Sequence, residues 1–228
     1  MGNPRMLRLL DLSIITRMRN RMDCESKATG LNFAVIATPA EGLSGRFVRI
    51  DREQYGVIEG VTDRDYYTNS FHVPVYFPIS AFEKIRLEAP YHELTNGGHI
   101  SYIELDGDPA QNLEAFESVV RYMKECGIGY GSINHPIDRD PVCGYTGIIE
   151  ETCPLCGRRS GESVSVKKLK NLGVNMLYNG SSGKDEIGEA VSFERIRRIT
   201  GYLVGTLDRF NNAKRAEEHD RVKHDTRN

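Results

Sequence analysis

Asn112-Leu113-Glu114-Ala115-Phe116-Glu117-Ser118-Val119-Val120-Arg121-Tyr122-Met123-Lys124-Glu125-Cys126-Gly127, followed directly by Ile128-Gly129-Tyr130-Gly131-Ser132-Ile133-Asn134, sets the fold class. Leu113, Phe116, Val120 and Met123 recur at three- and four-residue spacing, which puts them on one face of a helix. Gly127 follows as a terminator, because glycine enters the left-handed conformation that ends helices at no steric cost. Residues 128–134 then read as a strand. Upstream, Leu31-Asn32-Phe33-Ala34-Val35-Ile36-Ala37 is short, apolar and partly β-branched, the profile of a buried strand. Strands alternating with helices predict an α/β architecture.

Further out the pattern continues. Residues 5–22 hold Met6, Leu7, Leu10, Ile14 and Met18 at helical spacing among several arginines, predicting an amphipathic surface helix. Thr38-Pro39-Ala40-Glu41 has the form of a helix start, with Thr38 as N-cap, Pro39 at the first helical position and Glu41 closing a capping box. Residues 56–61 and 72–77 read as further strands around the polar segment 63–69. Residues 178–190 read as a mobile loop, and the charged tail from 212 onward as a solvated helix end. No internal repeat is found.

Composition narrows the function classes. A chain of 228 residues has room for one large or two small domains, and 39% hydrophobic residues supply a core. A formal charge of −2 implies neither a nucleic-acid nor a membrane partner. No apolar run approaches the ~18 residues of a membrane span. The basic start (Arg5, Arg8) lacks the apolar centre of a signal peptide. Five cysteines, odd in number and partly clustered, fit a reducing cytoplasm better than a disulfide framework.

Between residues 135 and 161 the composition shifts to Pro, Gly and Cys. Cys153-Pro154-Leu155-Cys156-Gly157 has the form of a zinc knuckle, two thiolates on a tight turn that glycine permits. Cys143-Gly144 looks like half of a second knuckle, in which position 140 would be a cysteine but is Asp140. Three thiolates therefore need a fourth ligand. His135 is chemically the best substitute, Asp140 has the right spacing, and Cys126 is a third candidate. Four protein ligands would make the site structural. A redox role for the Cys-X-X-Cys pair is weaker, since it does not open a helix after a strand.

The last informative stretch is Arg198-Ile199-Thr200-Gly201-Tyr202-Leu203-Val204. In one reading Gly201 ends a helix begun near Ser192, with Tyr202 packed on the core. In the other, the Arg-hydrophobic-X-Gly-Tyr pattern resembles the radical loop of the glycyl radical enzymes. A backbone Cα radical is stabilised by donation from the amide nitrogen and withdrawal by the carbonyl. That needs a planar centre, which only glycine, lacking Cβ, allows.

Taken with Thr38-Pro39-Ala40-Glu41, Tyr67-Thr68-Asn69-Ser70-Phe71-His72-Val73-Pro74, Asn96-Gly97-Gly98-His99, Gly129–Asn134 and the cysteine module, the chain from about residue 27 to 224 resembles the C-terminal part of the anaerobic (class III) ribonucleoside-triphosphate reductases. A cysteine module directly before the radical loop separates these from pyruvate formate-lyase-like relatives. The resemblance implies the C-terminal part of a ten-stranded α/β barrel with a small zinc-binding module. It divides the chain into an N-terminal helical segment (1–26), barrel (27–134), zinc module (135–161), and radical loop with tail (162–228).

The resemblance also implies chemistry. A radical S-adenosylmethionine activase would take hydrogen from Gly201, and the radical would pass to an active-site cysteine that takes the 3′-hydrogen of a ribonucleoside triphosphate. The 2′-hydroxyl leaves as water, and a reductant such as formate restores the electrons, supplying deoxyribonucleotides for DNA replication. Thr38, Pro39 and Ala40 would hold substrate phosphates at a helix N-terminus. Glu41 either closes its capping box or serves as an active-site carboxylate near the ribose. His72 and His99 are expected to be packed or hydrogen-bonded, and Asn69 and Asn96 to be turn residues. The thiyl cysteine normally lies upstream of everything matched, and Cys24 is not assigned that role. A split subunit or truncated product is therefore expected, associating with a larger reductase polypeptide. The alternatives are a glycyl radical replacement subunit and a non-enzymatic zinc-ribbon interaction protein.

Overall fold

The structure, a computed structural model, describes residues 4–37, 44–68, 71–106, 108–135, 137–174, 185–198, 204–206 and 210–225. In chain order the elements are α1 (Pro4–Thr29), α2 (Ser44–Tyr55), α3 (Ala81–Leu94), β1 (Ser101–Asp106), α4 (Leu113–Glu125), β2 (Gly131–Asn134), β3 (Ile137–Arg139), β4 (Thr146–Gly147), β5 (Val164–Ser165), α5 (Val166–Asn171), β6 (Glu186–Ile187), β7 (Glu194–Arg198), β8 (Val204–Thr206), α6 (Asn212–Asp220) and β9 (His224–Asp225). They form two compact units, one built on residues 1–134 and 210–228, the other on 135–198 and the strand at 204–206.

In the first unit α4 forms where its sequence predicts. Asn112 Oδ1 accepts from the Ala115 amide at 2.9 Å, capping one otherwise unpaired donor of the first turn. Gly127 ends the helix at φ +74°. The buried face is rotated from the expected one: Val119 and Met123 are buried, whereas Leu113 and Val120 are exposed. The face is chosen by what it packs on, a core of Ala81, Ile85, Ile103 and Leu105 from α3 and β1. β1 runs parallel to β2 (Ser101↔Gly131 to Glu104↔Asn134) and, on its other edge, to β9 (Leu105↔His224). β2 begins at Gly131 because the preceding residues close the helix, with the Ile128 amide donating to Met123 O at 3.0 Å.

α1 runs seven residues beyond its expected end, to Thr29, and stops at Gly30 (φ +72°). It buries Ile15 against Val35 and Tyr91, with Leu12 and Met22 alongside. Leu10, Ile14 and Met18 lie on its exposed side. The expected strand at 31–37 is an extended segment with a single parallel bridge, Ile36↔Gly98. Its partner is the Asn96-Gly97-Gly98 turn. Asn96 Oδ1 accepts from the Val35 amide (3.0 Å), Gly97 donates to Val35 O (2.8 Å), and Ala37 donates to Gly98 O (2.9 Å). Asn96 is thus a turn residue, but one that also holds a remote segment.

Residues 56–61 and 72–77 are turns rather than strands, and in the first the backbone is satisfied locally. Thr62 Oγ1 accepts from the Ile58 amide and donates to Gly56 O, while Gly56 and Gly60 adopt positive φ. Pro74 removes a donor from the second segment, and the Val73 amide goes to Glu88 Oε1 of α3 at 2.9 Å. α2 approaches α6 closely at Gly45, where an added Cβ would lie 2.5 Å from Ala213 Cβ.

α6 confirms the expected C-terminal helix but not its solvation throughout. Glu217 and Arg221 are buried, and Arg221 bonds both Glu217 and Glu104. A second buried network centres on Glu88, which accepts from Lys84, Ser101 Oγ and the Val73 amide. His72 and His99 are packed as expected, their rings 5.0 Å apart edge to face.

In the second unit, β4-β3-β7-β8 form an antiparallel sheet and β5 pairs with β6. Glu194–Arg198 is a strand, so a helix begun near Ser192 does not form. β7 and β8 pair antiparallel with Arg198 opposite Val204. Of the loop expected at 178–190, residues 178–184 lie outside the described residues, and 186–187 form β6. The two units give a mixed α/β protein, with no helix among the described residues long and apolar enough to cross a membrane.

Candidate metal centre

The cysteine module is built from one turn used twice. In the second copy, Cys153-Pro154-Leu155-Cys156-Gly157, the Gly157 amide donates to Cys153 O (2.8 Å) and the Cys153 amide to Arg158 O (2.9 Å). In the first, Asp140-Pro141-Val142-Cys143-Gly144, the Gly144 amide donates to Asp140 O (2.8 Å) and the Asp140 amide to Tyr145 O (2.9 Å). Both glycines take φ near the left-handed value, +78° and +73°. Position 140 therefore projects its side chain as position 153 does, towards the centre of the module.

The result is a group of four: Asp140, Cys143, Cys153 and Cys156, all buried, with ligand atoms within 4.8 Å of one another. The expected thiols come together, and the carboxylate joins them in place of His135. His135 is half-buried ahead of β3, outside this group, because the turn that aims a side chain inward starts at residue 140. Cys126 is the C-cap of α4 and is likewise not a member. All five cysteines are free thiols.

Two electrostatic facts define the group. Burial by itself would raise the pKa of Asp140, but Arg158, the Val142 amide and the two nearby thiols hold the carboxyl down at about 2. The thiols move the other way: burial, with Asp140 and Cys153 adding to it, pushes Cys143 well above its ordinary value and Cys156 up to about 11. In the metal-free group one carboxylate faces the protonated thiols of Cys143 and Cys156, and a soft divalent ion must displace those protons to bind. Three sulfurs and one oxygen are a donor set that suits zinc. Val142, Val164, Leu169 and Ile187 pack around the cysteines and keep water out.

Sequence reasoning did not find Arg158, which is fully buried and bonds Asp140 through Nε and Nη2. The available signal was its place directly behind the Gly157 turn, in a knuckle already short of one cysteine. The other expected site residues, Thr38, Pro39, Ala40, Glu41 and Gly201, lie outside the described residues. In sequence, Ala37, bonded to Gly98, directly precedes the first group, and Arg198 and Val204, paired between β7 and β8, bracket the segment that holds Gly201.

Comparison with known proteins shows the family. The family described as anaerobic ribonucleoside-triphosphate reductase matches residues 2–224. The chain is 37% identical over 225 residues to the anaerobic ribonucleoside-triphosphate reductase of Escherichia coli (strain K12), covering 96% of this chain and 27% of that protein. It is 37% identical over 217 residues to the enzyme of the same name from Enterobacteria phage T4, covering 92% of this chain and 31% of that one. A solved anaerobic ribonucleotide reductase superposes with a TM-score of 0.59 at 22% identity, covering 92% of this chain and 27% of that chain. The chain belongs to the anaerobic ribonucleoside-triphosphate reductase family, and it spans between a quarter and a third of the length of these relatives.

Proposed function

We propose that this chain is the glycyl radical component of an anaerobic reductase that converts ribonucleoside triphosphates to deoxyribonucleotides, working with a larger polypeptide that carries the thiyl cysteine. The observation that carries it is the family match across residues 2–224, with the Gly201 segment intact. The antiparallel pairing of Arg198 with Val204 on either side of residues 199–203 favours a radical-loop reading over helix termination.

In this account the activase removes one hydrogen atom from Gly201 Cα. The radical passes to the partner's cysteine, which takes the 3′-hydrogen of the substrate. The 2′-hydroxyl takes up a proton and leaves as water. Formate supplies a hydrogen atom to C2′ and an electron as it is released as carbon dioxide. With one further proton, the cysteine returns its hydrogen to C3′, which restores the radical. Thr38, Pro39 and Ala40 hold the triphosphate, positioned by Ala37 and the segment pinned to Asn96 and Gly98. Glu41 serves as an active-site carboxylate for the ribose. The segment 27–134 contributes the C-terminal part of the α/β barrel, which shields the radical from solvent and oxygen. The larger polypeptide covers the exposed Leu10, Ile14 and Met18 of α1.

Asp140, Cys143, Cys153 and Cys156 hold a zinc ion in the module before the radical loop. When bound, zinc supplies a four-point crosslink and no open position for catalysis.

The test is reconstitution. Mixed anaerobically with the larger polypeptide, the activase, S-adenosylmethionine and formate, the chain is expected to support deoxyribonucleotide formation. Gly201→Ala is expected to abolish it. Equal activity without this chain, or with the variant, contradicts the proposal. A second reading is a replacement subunit that restores a reductase whose own radical segment is lost. Rescue of such a damaged reductase identifies it.

A further inference from the structure

Asp140 stands where the repeated turn would put a fourth cysteine, and its two oxygens have separate environments. Oδ1 accepts from the Val142 amide (2.9 Å) and from Arg158 Nε and Nη2 (2.9 and 2.7 Å). Oδ2 shares the Nε donor (2.9 Å) and otherwise faces the thiols, 3.3 Å from Cys143 Sγ and 3.2 Å from Cys156 Sγ. Oδ1 is saturated by protein donors and Oδ2 points at the metal position.

Resting on the reading that the module binds zinc, we propose that Asp140 replaces a thiolate as the fourth ligand through Oδ2. In the same proposal Arg158 is the positioning residue that makes a carboxylate workable at this place in the turn. Arg158 is itself fixed before it meets Asp140. Its Nη1 donates to Glu162 O (3.0 Å) and Val191 O (2.8 Å), and its guanidinium lies 4.9 Å from the centre of the Phe193 ring. A lysine offers no such fork, so the bond pattern specifies arginine.

Charge supplies the second reason. Three thiolates and a carboxylate around a divalent ion leave two net negative charges in an apolar shell, which is costly without a counterion. Arg158 lies against the carboxylate with no exposed side-chain surface and cancels one of them. A carboxylate carries the same charge as the thiolate it replaces, but its second oxygen needs a partner, and Arg158 provides it. Asp140 and Arg158 thus form one functional substitution for a single cysteine. A partner of this kind is worth about 10–100-fold in metal affinity where it has been removed from other sites.

The experiment uses the full chain and measures zinc content, zinc affinity by chelator competition, and the absorption spectrum after replacement with Co²⁺. The wild-type chain is expected to hold one zinc and to give a tetrahedral cobalt spectrum with thiolate charge transfer from three sulfurs. Asp140→Cys, which restores the repeated turn and should fold, is expected to keep one zinc and strengthen the charge-transfer band by about a third. Arg158→Met is expected to weaken zinc binding about 10–100-fold, with all three thiolates still seen by cobalt. Asp140→Cys with an unchanged band, or Asp140→Ala and Arg158→Met binding as tightly as wild type, overturns the proposal. A wild-type chain that takes up no metal beside an Asp140→Cys variant that does overturns the role given to Asp140 alone. Failure of both to bind removes the zinc reading itself.

Discussion

Lys84 and Glu88, one turn apart on α3, form a buried ion pair in which the Lys84 ammonium lies 2.7 and 2.9 Å from the two carboxylate oxygens. Burial would raise the pKa of Glu88, but Lys84 and His72 hold it well below the usual carboxylate range. Burial lowers that of Lys84 against the pull of Glu88. Glu88 also holds Ser101 of β1 and the Val73 amide, so one carboxylate joins three segments. Glu88→Gln leaves an ammonium buried without its counter-charge, and is expected to cost about 3–5 kcal/mol in urea unfolding. Glu88→Gln with Lys84→Met is expected to cost clearly less than the single change. Equal losses would mean that the pair carries no special cost.

Acid is expected to destabilise the first unit well above the carboxylate range. His99 is buried beside His72, His92, Glu88 and Lys84, and burial first, then the two histidines, lowers its pKa to about 3. His92 and His224 are lowered as well, again mainly by burial. An unfolded histidine takes up its proton near 6.5, so the unfolded state binds more protons between there and about 3. The stability these residues contribute is complete above about 6.5 and is lost as pH falls towards 3. Glu88 acts in the same direction below its ordinary value of 4.5. Melting temperatures measured from pH 7.5 to 4.5 should fall steadily, and His99→Gln should flatten the slope. A wild-type profile flat down to 5 contradicts this.

Gly97 is packed into the turn that holds the extended segment 31–37. An added Cβ would meet Val35 O at 3.0 Å and the Cβ atoms of Ala34 and Ile36 at 3.2 Å. Gly97→Ala is expected to cost about 1–3 kcal/mol. Because Ala37 leads directly into Thr38, the loss should appear as weaker triphosphate binding in the reconstituted enzyme, a raised KM with smaller change in kcat. Unchanged stability and KM would show that the turn has room.

Removing the metal is expected to act on the second unit. Its core packs around Cys143, Cys153 and Cys156, and burial raises Cys143 and Cys156, so those two would take up protons as the proposed zinc leaves. Chelation should lower the melting temperature and expose residues 137–174 to protease, with both effects reversed by zinc. A chain indifferent to chelator would indicate that the Asp140–Arg158 pair alone holds the module.

Local signals were legible in the sequence where a residue acts on its immediate neighbours. Asn112 and Gly127 bounded α4, and the Cys-Pro-Leu-Cys-Gly turn pointed to the group of four candidate ligands. The misses come from side chains whose contacts composition and spacing do not show. Residues 56–61 have strand-like composition, but Thr62 satisfies their backbone locally. α3 was not read from the sequence because Pro90 lies inside it and its buried face includes the charged Lys84 and Glu88, which pair with each other one turn apart. On α4 and α1 the spacing was helical, yet the buried face was set by what packs there, leaving Leu113, Val120, Leu10, Ile14 and Met18 exposed. Spacing allowed Asp140 as a ligand, but only the structure brings Arg158 and Val191, 33 positions apart in sequence, to support it.

The most direct test is an anaerobic electron paramagnetic resonance spectrum of this chain, activated with its larger partner, the activase, S-adenosylmethionine and a reductant. The account predicts a doublet from the one remaining Cα hydrogen of Gly201, collapsing to a singlet when glycine is supplied deuterated at Cα and absent in Gly201→Ala. A folded complex with a working activase and no such doublet, or a doublet that persists in Gly201→Ala, would contradict it.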